Sequence, residues 1–130
     1  RAIFPEIIQY AHKVEQVHGE HELCPKGLAG HLQIMEKEMY SHMHKEEQVL
    51  FPMIIAGQGN FAQMPMNVMM SEHRDHCEAI VKLEELTHHF KLPEDACRSW
   101  QHLYKLVRLL RCELLEHIFI ENHILFKHHL

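Results

Sequence analysis

The chain has 130 residues, 46% hydrophobic and 24% charged, the size and balance of one globular domain with a substantial core. A net charge of −5 and a pI near 6.3 exclude the basic face that a nucleic-acid binder needs, and no apolar run of about 18 residues offers a membrane span. Five glycines and five prolines are too few for a turn-rich β architecture, and without a signal-like start the expectation is a soluble, cytoplasmic protein.

Helical periodicity appears first from about Ile3 to His18, where Ile3, Ile7, Ile8, Ala11, Val14 and Val17 recur at spacings of three and four. Gly19, Pro25 and Gly27 then punctuate a loop. The second stretch, about Leu28 to Ala56, carries Leu32, Met35, Met39, His42, Met43, Glu46, Leu50 and Met53 on one stripe. Pro52 falls inside it, so its last turn is expected to bend or lose a hydrogen bond. After a loop over 57–65, the third stretch, about Met66 to Phe90, lines up Val68, Met69, His73, His76, Ile80, Leu83 and Leu86. Pro93, with Glu94 and Asp95 behind it, reads as the start of the fourth. That helix is expected to reach about His128, with Trp100, Leu103, Val107, Leu110, Leu114, His117, Glu121 and Ile124 in its stripe. Four amphipathic helices on short loops predict an all-α, antiparallel up-down-up-down four-helix bundle spanning residues 1–130 as one domain.

Cys24, Cys77, Cys97 and Cys112 show no CxxC spacing, which excludes a zinc ribbon or a thioredoxin-like pair; they are expected as small buried hydrophobes in a reducing compartment. Histidine is the anomaly, at 15 residues. Two segments, "SHMHKEEQVLF" (41–51) and "EHIFIENHILF" (116–126), share one pattern: His, three residues, Glu, two residues, a β-branched residue, Leu, Phe. Residues four apart share a helix face, so His42 points with Glu46 and His117 with Glu121. The HxxxE spacing alone is close to what chance supplies, and a third instance, His18 with Glu22, falls in a loop. What singles out the other two is a His and a Glu inside stripes otherwise made of Leu, Met, Ile and Phe. Burying a carboxylate there costs several kcal/mol unless it is paired or ligates metal.

With His73 from the third helix, the candidate ligands are His42, Glu46, His73, His117 and Glu121. Imidazole and carboxylate without thiolate suit iron or manganese, and two carboxylates suit a bridged pair of ions about 3.5 Å apart. The expected cofactor is two non-haem iron ions (Fe2+/Fe3+), bridged by carboxylate and with room for an oxo bridge. His76 is expected at the polar edge of the site, the methionines as core filler, and His44 and His123 turned away. A symmetrical site would take a further His from the first helix. Counting back from the hairpin bend places its level near Ile3, and neither Ile3 nor Phe4 binds metal. The expectation is a further ligand a few positions before Arg1, with His18 too far down the helix to serve.

The segments "VEQVH" (14–18), "PKGL" (25–28), "SHMHKEEQVLFPMI" (41–54), "SEH" (71–73), "PEDAC" (93–97) and "HIFIENHILF" (117–126) resemble the hemerythrin-like domain of the Repair of Iron Centers, or iron–sulfur cluster repair, proteins. The resemblance implies His42, His73 and His117 as terminal ligands and Glu46 and Glu121 as bridges. It also implies a His at the place of His18, a ligand His upstream, and a small cysteine-bearing N-terminal domain that this sequence lacks; Lys127 stands where the family often has Pro. The activity implied is restoration of iron–sulfur clusters damaged by nitric oxide or peroxide, by iron donation, with damaged iron–sulfur proteins as partners and a homodimer left open. The alternatives are an oxygen or nitric oxide carrier or sensor, and a di-iron nitric oxide reductase or peroxidase.

Overall fold

The computed structural model describes residues 3–57 and 63–125. Its helices are α1 (Ile3–Val17), α2 (Leu28–Lys45), the short α3 (Phe51–Ile55), α4 (Gln63–Leu86) and α5 (Arg98–Ile120). Two single π-helical turns interrupt the regular winding, Glu46–Leu50 between α2 and α3 and Glu121–Leu125 after α5. α1 lies against α2 and α5, and α4 against the same two, so the four long helices make the square of an up-down-up-down bundle. Among the described residues there is no β-strand.

The apolar stripes do what their spacing predicts, with local exceptions. Phe4, Ile7, Ala11 and Val14 of α1 are buried, while Val17, at the last helical position, is exposed. Val68 is exposed too, because α4 turns Met66, Met69, His73, His76, Ile80 and Leu83 inward. Glu15 reaches across the first loop, and both its carboxylate oxygens accept backbone amides, from Gly27 at 2.6 Å and Ala29 at 2.9 Å. That places a negative charge where the first amides of α2 have no partner in their own helix. Gly27 itself sits at φ 87, in the left-handed region where a side chain is strained.

Four boundaries differ from the sequence reading, the smallest being that α4 begins at Gln63 and not at about Met66. The second helix is not continuous: ahead of Pro52 the Phe51 amide bonds to the Glu46 carbonyl, five residues back, so the break expected at the proline takes the form of a π turn just before it. The third helix stops at Leu86, not Phe90. The buried Thr87 hydroxyl donates to the carbonyls of Leu83 (3.0 Å) and Glu84 (3.1 Å), and His88, His89 and Phe90 turn left-handed, with φ of 52, 56 and 64. The fourth starts at Arg98, not Pro93, whose carbonyl instead accepts the Ala96 amide in a turn. Turn and helix start share the same Pro-acidic composition, so the sequence alone does not separate them. The readings at Phe126, Lys127 and His128 lie outside the described residues, as does the side chain of Ile124.

The main core joins Ile7, Ala11, Leu32, Leu83, Trp100, Leu103, Val107 and their neighbours, each fully buried aliphatic contributing about 1.5–3 kcal/mol. A smaller cluster, Leu50, Met66 and Met69, closes the far end. Between them along α2, α4 and α5 lies a polar layer. Of the four cysteines only Cys24 is buried; Cys77, Cys97 and Cys112 are exposed, contrary to the expectation. Cys77 follows the buried His76 by one position, Cys112 follows the buried Leu110 by two, and Cys97 precedes its helix.

Candidate metal centre

The polar layer is built from α2 and α5, which do not adjoin, and α4 beside them. His42 is fully buried, and Glu46, His73, His76 and Glu121 are buried around it. One ligand atom from each of His42, Glu46, His73 and Glu121 lies within 4.8 Å of the other three. His42 Nε2 stands 2.6 Å from Glu46 Oε1 and 3.5 Å from Glu121 Oε1, and His73 Nε2 is 2.6 Å from Glu121 Oε1. On the other side His117 Nε2 stands 2.9 Å from Glu121 Oε2 and 3.5 Å from Glu46 Oε1. Glu121 therefore turns one oxygen to His42 and His73 and the other to His117.

Two contacts outside the cluster fix which ring nitrogens face in. His42 Nδ1–H donates to Glu72 Oε1 (3.1 Å), a carboxylate held by the Lys45 ammonium at 2.6 Å. His73 Nδ1–H donates to Asn122 Oδ1 at 2.8 Å. With both Nδ1 atoms carrying protons, the two Nε2 atoms present lone pairs to each other, 3.1 Å apart. Lone pairs at that distance repel unless a proton or a cation lies between them. Two ligand atoms about 2.1 Å from one ion and at right angles to each other stand about 3 Å apart, the spacing seen here.

The electrostatics say which occupant the metal-free layer takes. Burial works against a charge on His42, yet Glu121, Glu46 and Glu72 outweigh it and raise its pKa to about 10. Glu121 and Glu46 raise His117 to about 9. Burial would raise Glu121, but His117, His42 and His73 hold it far below the usual carboxylate range. Protons thus do in part what a cation would do. They do it incompletely: both oxygens of the buried Glu46 and the Nε2 of His117 have no partner in hydrogen-bond geometry among the described residues. The donor set suits a hard or borderline cation, and it leaves polar atoms that such an ion would satisfy.

His117 is 31% exposed, the open side of the layer. It borders a cavity of about 800 Å³ between α2 and α5, lined by Phe4, Met39, Met43, Leu110 and Leu114. His76 packs its ring 5.0 Å from that of His42, and burial, with His42 and His73 nearby, lowers it to about 4. His18 lies away from the layer, against Cys97 and Trp100. His44 and His123 are exposed, His44 stacked on Tyr40 and His123 tilted against Phe119. Sequence reasoning missed Glu72 and Asn122, which sit one residue from a ligand candidate and so fall off its stripe. The one signal was a carboxylate just before a core His, with Lys45 on the facing helix to anchor it.

Residues 1–128 match the hemerythrin HHE cation-binding domain. The chain belongs to that family. Within it the chain stands with the iron–sulfur cluster repair proteins. It is 48% identical to the iron–sulfur cluster repair protein DnrN of Neisseria gonorrhoeae, over 97% of this chain and 79% of that protein. It is 44% identical to the protein YtfE of Enterobacter sp. strain 638 and 43% identical to YtfE of Yersinia pseudotuberculosis, both named as iron–sulfur cluster repair proteins. The chain covers 97% of its own length in both matches but spans only 57% of each YtfE protein. No helix among the described residues is long and apolar enough to cross a membrane.

Proposed function

We propose that this hemerythrin-type domain holds two iron ions in its polar layer and serves iron–sulfur cluster repair as an iron donor in the cytoplasm, with damaged iron–sulfur proteins as recipients. The observation that carries the metal reading is the pair of facing Nε2 lone pairs of His42 and His73, beside the buried Glu46 carboxylate, whose oxygens lie near imidazole nitrogens without hydrogen-bond geometry. His42 and His73 would serve one ion and His117 the other, with Glu46 and Glu121 bridging, since Glu121 turns an oxygen to each side and Glu46 Oε1 stands near both His42 and His117. Bound iron would supply a redox-active Lewis acid. The chain's part would be to hold that ion on one side by a ligand that solvent reaches: His117 is partly exposed, and Glu121 and Glu46 raise its affinity for a proton, which would compete with metal there. The names of the relatives support the cluster-repair assignment.

The test is to mix the iron-loaded protein with a peroxide-damaged [4Fe–4S] hydro-lyase and follow recovery of that enzyme, against the same amount of free ferrous iron and a ferrous chelator. Recovery that outpaces free iron under chelation is expected; recovery no better than free iron defeats the donor reading. A second reading rests on the cavity beside His117, where Phe4, Met39, Leu110 and Leu114 meet a rim that includes Glu36, Lys37, Glu47 and Glu113, and which is large enough for a diatomic gas. Binding of nitric oxide or dioxygen there, seen as an optical change with full retention of iron, would favour a carrier or sensor.

A further inference from the structure

Remote from the His/Glu layer, Cys97, His18, Trp100 and His21 converge where the N-terminus of α5 meets the loop after α1. We propose that Cys97 is a reactive thiol, activated by His18, that exchanges with small-molecule disulfides such as glutathione disulfide. This rests on a nucleophile and a base in contact with a third group that holds the base, the arrangement of an activated nucleophile. It does not depend on the metal reading.

Cys97 Sγ lies 3.3 Å from His18 Nε2. As a thiol the sulfur donates to the imidazole; with the proton moved across, the imidazolium donates to a thiolate. The His18 ring lies against the fully buried Trp100 indole at 4.9 Å. His21 meets the same indole edge-on at 5.3 Å, and its Nδ1 accepts the Leu23 amide. Cys97 is also the N-cap of α5, in extended conformation (φ −68, ψ 165), and its side chain makes no capping bond to the helix. The sulfur is therefore free for His18, at the N-terminus of a 23-residue helix. It is exposed to reagents.

The other cysteines provide internal controls. Cys24 is buried, and burial together with Glu15 raises its thiol. Cys77 and Cys112 are exposed, but among the described residues neither has a histidine at hydrogen-bond distance. In the exchange, His18 takes the Cys97 proton and the thiolate attacks one sulfur of the disulfide. A new S–S bond forms as the old one breaks, and the departing thiolate takes the proton back from His18. The adduct would sit about 30 Å from His117, counted along α5 at about 1.5 Å per residue.

The experiment exposes the folded protein to glutathione disulfide, quenches by alkylation, and measures the mixed disulfide at each cysteine by peptide mass spectrometry. Cys97 is expected to react about tenfold faster than Cys77 or Cys112, with Cys24 unmodified. In His18→Gln, which keeps a polar side chain but takes no proton, Cys97 should fall to the rate of the other two at unchanged helix content. Equal rates at the three exposed cysteines of the unsubstituted protein would overturn the proposal, and so would a fast Cys97 in a folded His18→Gln variant. The unsubstituted ranking needs no variant, so a variant that fails to fold leaves the proposal open to refutation.

Discussion

The same spacing, His-x-x-x-Glu, occurs at both ends of this bundle with opposite outcomes. His42–Glu46 and His117–Glu121 lie on helices, and each glutamate is buried where α-helix gives way to a π turn. His18–Glu22 lies beyond the end of α1, in turns, with Glu22 exposed and His18 spent on Cys97 and Trp100. The spacing therefore brings two side chains to one face only where the backbone is helical. It makes a cation site only where other helices bring further donors and exclude water. The Trp100 end is closed by aromatic packing, Trp100 against Tyr104 edge-on at 6.4 Å. Toward the other end the interior passes through a charged layer before Leu50, Met66 and Met69 close it.

The sharpest way to break this contrast is to remove a carboxylate from each kind of pair. Glu46→Ala and Glu121→Ala should abolish most metal binding, while Glu22→Ala and His18→Ala leave it intact, as read by iron per chain on purified protein. Equal losses from all four would return His18 and Glu22 to the site.

Trp100→Ala tests whether the two ends are independent. Emptying a fully buried indole should cost about 3–5 kcal/mol, lowering the melting temperature by about 10–20 °C. Iron per folded chain should not change, because His117 lies about 25 Å further along α5. Loss of metal in the folded variant would show the ends to be coupled.

Smaller effects belong to the groups behind the ligands. Glu72→Gln weakens the acceptor that holds His42 Nδ1–H, and Asn122→Leu removes the one that holds His73 Nδ1–H. Each should weaken metal affinity by about 10–100-fold, measured by competition with a chelator. Unchanged affinity in both would mean that the imidazoles hold their orientation through packing alone.

These last two residues mark where legibility in the sequence ends. Helix type, number and order follow from apolar periodicity, because burying an apolar stripe is the largest favourable contribution to folding a bundle of this size. His42, Glu46, His73 and Glu121 stand out because a polar group in such a stripe needs a reason, and the fold gathers them. Glu72 and Asn122 lie about 100° off the stripes, where polar residues are ordinary. Nor do the π turns carry a propensity of their own; only the recurrence of the whole phrase hints that both glutamates sit in one backbone setting. The exposure of Cys97 escapes the sequence because it depends on a helix that starts at Arg98, later than Pro93 suggests.

The least dramatic prediction concerns acid and base, and it separates the two ends without any substitution. In the metal-free protein His42 and His117 hold protons more tightly than in the unfolded chain, to about 10 and about 9 against an ordinary 6.5. Their stabilising contribution is complete below about pH 6.5 and is lost as pH rises through about 9–10. Glu121 is shifted down from 4.5, so its contribution is present above about pH 4.5 and is lost as pH falls below that. His76 is lowered to about 4, so below about pH 6.5 the unfolded chain takes up a proton that the folded chain does not. The melting temperature of the metal-free bundle should therefore peak at about pH 6.5 and fall both toward pH 4 and toward pH 9. Metal must displace the same protons, so its affinity, and the stabilisation it adds, should rise over the interval in which the metal-free protein weakens. Calorimetry at about pH 5, 7 and 9 with and without ferrous iron reads both slopes. If the metal-free melting temperature were flat from about pH 6 to 9, His42 and His117 would not be holding extra protons, and the buried carboxylates of this layer would have to be balanced in another way.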